Sequence, residues 1–327
     1  MKYRSEIDGL RFLCIILVII YHIRLNLFGI NIFKGGFVGV DVFFVISGYL
    51  ITNIIFREIQ NNDFTLFGFF ERRARRILPI LIFVSIFSFC FFSLAFTEED
   101  FSDFSRTIIS SLLFISNYLF LLKELEYGAD TFGINPFVHT WSLSIEEQFY
   151  ILFPLIILLF RYKTRIIIPF LTLTFFMSLM FCIKGSNSFP ESNFYLFPSR
   201  IWEILIGSLI FFIPKSFLKN NLTCQIAPII GIILILFSAS LFNDIDNNFP
   251  SYKNLMPTIG AALIIFFCNS KDITSRILSF SIFTFIGKIS FSLYLVHVPI
   301  IAFFRITEIL ESNIINKIIV ITVIFLI

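Results

Sequence analysis

Long apolar blocks alternate with short polar breaks from residue 12 to the last residue of the chain. A helix rising about 1.5 Å per residue needs about 20 apolar residues to cross a bilayer core. On that measure spans are predicted near 11–28, 36–56, 77–96, 145–160, 166–183, 197–213, 226–242, 254–268 and 283–304, with a tenth beginning near Ile314. The block TIISSLLFISNYLFLL at 107–122 is shorter and carries Ser110, Ser111, Ser116 and Asn117. It would reach about 24 Å of a core about 30 Å thick, so it is read as re-entrant or lying at the surface. The pattern is that of an all-α membrane protein, a polytopic helical bundle of about ten transmembrane helices.

No polar block is long enough to fold by itself, so a single membrane domain is expected over 1–327. The basic start MKYR before an apolar stretch resembles a cleavable leader, but no small-residue cleavage site follows, and the segment reads as the first span. The last run, IINKIIVITVIFLI, ends at Ile327 after 14 residues, about 21 Å of helix. The chain is therefore expected to be truncated within its last span.

Composition agrees with a membrane reading. Hydrophobic residues make up 57% and charged residues 14%, with 48 phenylalanines, where soluble domains carry about 25% charged residues. The net charge of +3 is too small and too dispersed to argue for nucleic acid. Its distribution is informative: the breaks at 57–76, 161–165, 214–225 and 269–282 hold Arg57, Arg72, Arg73, Arg75, Arg76, Arg161, Lys163, Arg165, Lys215, Lys219, Lys271 and Arg276. Such loops belong on the cytoplasmic side. The intervening breaks, TEEDFSD at 97–103 and NDIDNN at 243–248, are acidic or neutral, and the alternation holds only if 107–122 does not cross. The N-terminus is then cytoplasmic and the protein multi-pass. Cys14, Cys90, Cys182, Cys224 and Cys268 show no CxxC spacing, so neither a zinc site nor a disulfide framework is indicated.

Several polar residues stand where an apolar span needs none. In RFLCIILVIIYH, Arg11 and His22 are eleven residues apart, which places them on one helix face about 16 Å apart, with Arg4 sharing that face if the helix extends back. Arg11 then sits at the cytoplasmic surface and His22 near mid-bilayer, a depth at which an ionisable group points to function, although a packing histidine fits the same position. GGFVGVDVFFVISGYLIT at 35–52 carries Asp41, able to orient a histidine, bind a polar ligand, or hydrogen-bond a neighbouring helix end. FFERRARRILP at 69–79 sets four arginines before a span; guanidinium forks suit phosphate, and orientation of the chain accounts for some of them. VHTWSLSIEEQFYILFP at 138–154 gathers His139, Glu146 and Glu147, suited to acid–base work or to a helix start with acidic residues in its first turn. Arg200 and Glu203 in FPSRIWEILIGSL can neutralise one another at i,i+3, and His297 in GKISFSLYLVHVPI reads as structural.

Taken in this order, YRSEIDGLRFLCIILVIIYH, GGFVGVDVFFVISGYLIT, RRARRILP, HTWSLSIEEQFY, PSRIWEILIG and SFSLYLVHVPI closely resemble the bacterial membrane-integral acyltransferase family 3, from residue 3 to about 305. The resemblance implies a ten-helix domain that takes an acyl group from cytoplasmic acyl-CoA and delivers it to an extracytoplasmic glycan such as lipopolysaccharide, peptidoglycan or exopolysaccharide. It implies that Arg11 and His22 are the central functional pair. It also implies that an RxxR element, here Arg72 to Arg75 or Arg73 to Arg76, engages the CoA phosphates. Related forms often carry a C-terminal extracytoplasmic SGNH domain after a further span, which is not found here.

The mechanism expected on these grounds uses acetyl-CoA as donor and no metal. CoA phosphates lie against Arg72, Arg73, Arg75, Arg76 and Arg11, and the thioester approaches His22, which accepts a proton or transiently the acyl group. Glu146 or Glu147, with Asp41 as the lesser candidate, fixes the tautomer of His22 or stabilises its cation. A transporter or flippase, using the same groups as proton relays, is the main rival, and an inactive truncated remnant is a weaker one. No inverted repeat supports the transporter.

Overall fold

A computed structural model describes residues 3–27, 30–127, 135–214, 221–243, 249–268, 272–308 and 314–326. Lys215, Lys219 and Lys271, most of the acidic break at 243–248, and Ile327 lie outside them. Helix dominates, as expected of an all-α chain. In order come α1 (Ser5–Ile23), a two-rung antiparallel ladder of β1 (Asn26–Leu27) with β2 (Ile30–Asn31), α2 (Val38–Gln60), α3 (Leu66–Phe92), α4 (Glu98–Leu112) and α5 (Ser116–Tyr127). Then follow α6 (Thr140–Leu159), α7 (Thr164–Ser188), α8 (Pro190–Tyr195), α9 (Phe197–Phe212), α10 (Asn221–Leu241), α11 (Leu255–Phe267), α12 (Ile273–Leu278), α13 (Ser281–Lys288), α14 (Ser290–Ile306) and α15 (Ile314–Leu326).

Among the described residues six helical runs are long and apolar enough to cross a membrane, or seven if α13 and α14, bent by 68° at their junction, count as one span. The expected ten is not reached by that measure. Helix α1 carries Glu6, Asp8 and Arg11 within 19 residues, and α11 and α15, each of 13 residues, extend only about 20 Å. The block at 107–122 is broken into the end of α4 and most of α5, with Phe114 between them at φ 56°. At 15 and 12 residues, neither helix can span a core about 30 Å thick.

The backbone divides into two compact units that interleave along the chain. The first comprises Met1–Ile54, Phe160–Phe194 and Pro198–Phe291. Its core packs Leu10, Cys14 and Leu17 of α1 with Val38, Val42 and Val45 of α2, Ile235 and Ala239 of α10, and Ala261 and Ile264 of α11. Helices α2 and α9 meet backbone to backbone. A Cβ on Gly48 would lie 1.8 Å from the carbonyl oxygen of Ile204, and one on Gly207 would lie 1.9 Å from that of Val45. Only glycine permits that approach. Asp41 and Arg200 each lie about two turns before these glycines, on the same faces of their helices.

The second unit comprises Ile55–Leu159, Tyr195–Phe197 and Ser292–Ile327. Its α3 opens at Leu66, well before the apolar start expected at 77, capped by Thr65, whose hydroxyl accepts from the Gly68 amide at 3.2 Å. The four arginines are therefore helical residues rather than loop residues. Two of the polar residues that dotted 107–122 meet α6: Ser111 and Thr140 hydroxyls are 2.7 Å apart, Thr140 donates to Ser116 at 3.0 Å, and Ser116 and Ser144 are 2.8 Å apart. Buried hydroxyls paired in this way avoid the cost of an unsatisfied polar group.

Candidate functional site

Helix α1 carries both Arg11 and His22, so their expected separation of about 16 Å along one face holds. The helix stops at Ile23, where Arg24 turns to φ 51° and its amide reaches back to the carbonyls of Ile20 and Tyr21. His22 thus lies at the last turn of the helix. Its Nδ1 is 2.9 Å from the carbonyl oxygen of Val18. A carbonyl can only accept, so Nδ1 carries the proton and Nε2 is the basic position of the neutral ring. A backbone carbonyl one turn back, rather than a carboxylate, accepts from Nδ1. In the second turn of the helix, Arg11 lies 3.6 Å from Asp8. Arg4 does not continue that face. It precedes the helix and donates to Glu6, to the Tyr49 hydroxyl at 2.9 Å and to the Ile265 carbonyl at 2.8 Å.

Asp41 is fully buried in the first turn of α2. Arg200 donates to its Oδ1 at 2.7 Å, and the Asn254 amide donates to its Oδ2 at 3.1 Å. The expected Arg200–Glu203 pair is present, with guanidinium nitrogen and carboxylate oxygen 3.0 Å apart. The rings of Phe44, Phe194 and Phe249 surround the guanidinium at 5.7–6.0 Å. One arginine thus faces two carboxyl groups in an aromatic cage, an arrangement that ties α2, α9 and the residue before α11 together.

In the second unit the arginines separate by role. Arg72 sets one guanidinium nitrogen 2.6 and 2.7 Å from the two carboxylate oxygens of Glu58, and Arg75 pairs with Glu71 at 2.7 Å. Both are exposed, as is Arg76. Exposed ion pairs contribute about 0–1 kcal/mol, so these forks can exchange a carboxylate for a phosphate at small cost. Arg73 points elsewhere: its guanidinium lies 6.0 Å from the Phe69 ring centre and 5.9 Å from that of Tyr150 on α6.

Glu146 and Glu147 fall in the second turn of α6, which starts at Thr140 and has no acidic residue in its first turn. A helix-start role is therefore removed. Tyr150 donates to Glu146 at 3.1 Å. Glu147 is buried, with Oε1 accepting no hydrogen bond among the described residues, and Arg73 is a positive charge that acts on it. Just before α6, His139 lies beside His297 of α14, ring centres 5.1 Å apart, and both are buried. Sequence reasoning noted each histidine but could not join them across that separation. Of the expected site residues, Arg11, His22 and Asp41 belong to the first unit, and Glu146, Glu147 and the arginines of α3 to the second.

The acyltransferase domain model matches residues 4–327. O-acetyltransferase OatA of Staphylococcus aureus is 35% identical over 318 residues, covering 92% of this chain and 51% of that protein. Peptidoglycan O-acetyltransferase OatA of Listeria monocytogenes is 31% identical over 344 residues, covering 100% of this chain and 54% of that protein. The chain thus spans about half the length of these curated relatives. No solved structure matches. The matched region takes in Arg11, His22 and the arginines of α3 alike, and the chain belongs to the acyltransferase 3 family.

Proposed function

We propose that the chain moves an acyl group, acetyl in the first instance, from cytoplasmic acyl-CoA to a hydroxyl of an extracytoplasmic glycan. Peptidoglycan is the first acceptor to test, because the printed name of the Listeria relative specifies it. The observation that carries the reading is His22: an ionisable ring in an apolar helix, its Nδ1 proton held by the Val18 carbonyl and Nε2 left as the basic position. Such a nitrogen either accepts a proton from the attacking group or takes the acyl group itself. The exposed forks of Arg72, Arg75 and Arg76 suit the phosphates of CoA. Arg73 is set apart from them, its guanidinium beside the Phe69 and Tyr150 rings.

Replacing His22 with alanine, with surface glycans read by mass spectrometry for acetyl-sized mass differences, tests the proposal. Acetylation should fall by at least about a hundredfold at normal membrane abundance. Undiminished acetylation at that abundance would sink it.

A further inference from the structure

A transfer that ends on a hydroxyl must remove a proton from that hydroxyl, and the second unit holds a group built to receive one. The Nδ1 of His297 is 2.6 Å from the carbonyl oxygen of Tyr294. That contact assigns the proton to Nδ1 and makes Nε2 the ring's acceptor. The His139 ring stands edge-on to His297 at 5.1 Å and to Tyr294 at 5.2 Å. The Tyr294 hydroxyl donates to the His139 carbonyl at 2.9 Å, and its oxygen lies 2.6 Å from Ser142 Oγ. Glu146 is a charge that acts on the Tyr294 hydroxyl. Two buried histidines, a tyrosine and a serine are thus locked together where α14 passes the start of α6.

Depth supports an acceptor-side role. Helix α6 ends beside Arg161, Lys163 and Arg165, which the distribution of basic residues assigns to the cytoplasm. His139 lies at the opposite end of the 20-residue helix, about 30 Å away. We infer that His297 is the general base for the acceptor hydroxyl, with His139 and Tyr294 as positioning residues, and this inference rests on the acyl-transfer reading above. The hydroxyl oxygen bonds to the acyl carbon, and the bond from that carbon to its carrier breaks. The hydroxyl proton passes to Nε2 of His297 and then to the departing carrier, so the histidine ends neutral.

The rival role is packing, since Pro299 deprives the helix of one amide donor and a histidine bonded to a nearby carbonyl steadies such a stretch. His297→Asn separates the two roles, because the asparagine amide can still donate to the Tyr294 carbonyl but offers no basic nitrogen. In full-length protein at normal membrane abundance, it is expected to keep acyl-CoA affinity within about twofold while glycan acetylation falls about a hundredfold. Acetylation within about threefold of the parent, or joint loss of acyl-CoA binding and acetylation, would overturn the inference. Should the variant fail to accumulate, His139→Gln is read with the same two assays, with an expected loss of about tenfold in acetylation alone and the same overturning outcomes. A parent protein that neither binds acyl-CoA nor acetylates glycan would instead defeat the underlying acyl-transfer reading.

Discussion

Arg200 shows how much one side chain can hold in an apolar setting. Removing it leaves Asp41 and Glu203 buried without their cation, and breaking a buried pair from one side typically costs about 3–5 kcal/mol. Arg200→Met should therefore lower the thermal midpoint of the detergent-solubilised protein sharply. Adding Asp41→Asn and Glu203→Gln should restore most of it, and a single variant as stable as the parent would show that the network contributes little. The i,i+3 pairing of Arg200 with Glu203 was legible because helical spacing alone brings such residues together. Asp41 was not, since it joins Arg200 across 159 residues and Asn254 across 213, and no local pattern carries that information. His22 sits between these cases. Its spacing from Arg11 is a property of the helix, whereas its tautomer depends on a backbone carbonyl that every helix offers.

At the scale of elements, hydropathy located the apolar stretches but misjudged where helices begin. Helix α3 starts at Leu66 because Glu and Arg are good helix formers, so the helix continues through RRARR where the bilayer requirement has ended. Helical phase then gives the arginines different surroundings, which a charge count could not do. Arg75→Ala should weaken acyl-CoA binding severalfold with unchanged membrane abundance, while Arg73→Ala should reduce abundance because it removes the guanidinium packed against Phe69 of α3 and Tyr150 of α6. Equal effects on binding from both would count against the division. Gly48→Val should separate α2 from α9 and cost about 1–3 kcal/mol, seen as reduced abundance and a lower thermal midpoint.

For the whole molecule, the helical class was readable from composition and block length, while the span count was not. Blocks such as α1 mix charge with apolar residues, and α11 and α15 are short. Orientation can be tested directly. Alkaline phosphatase fused after Arg165 should be inactive and after Phe96 active, and the reversed pattern would invert the assignment of basic breaks to the cytoplasm. The hydroxyl ladder between α4–α5 and α6 bears on how the chain is made. Ser111 and Ser116 emerge from the ribosome before Thr140 and Ser144, so their partners do not yet exist when they reach the translocon. A nascent chain arrested before Phe137 should leave 98–127 open to protease, and one extended beyond Leu159 should shield it. Docking of the early pair is thus expected to wait for the helix that follows it.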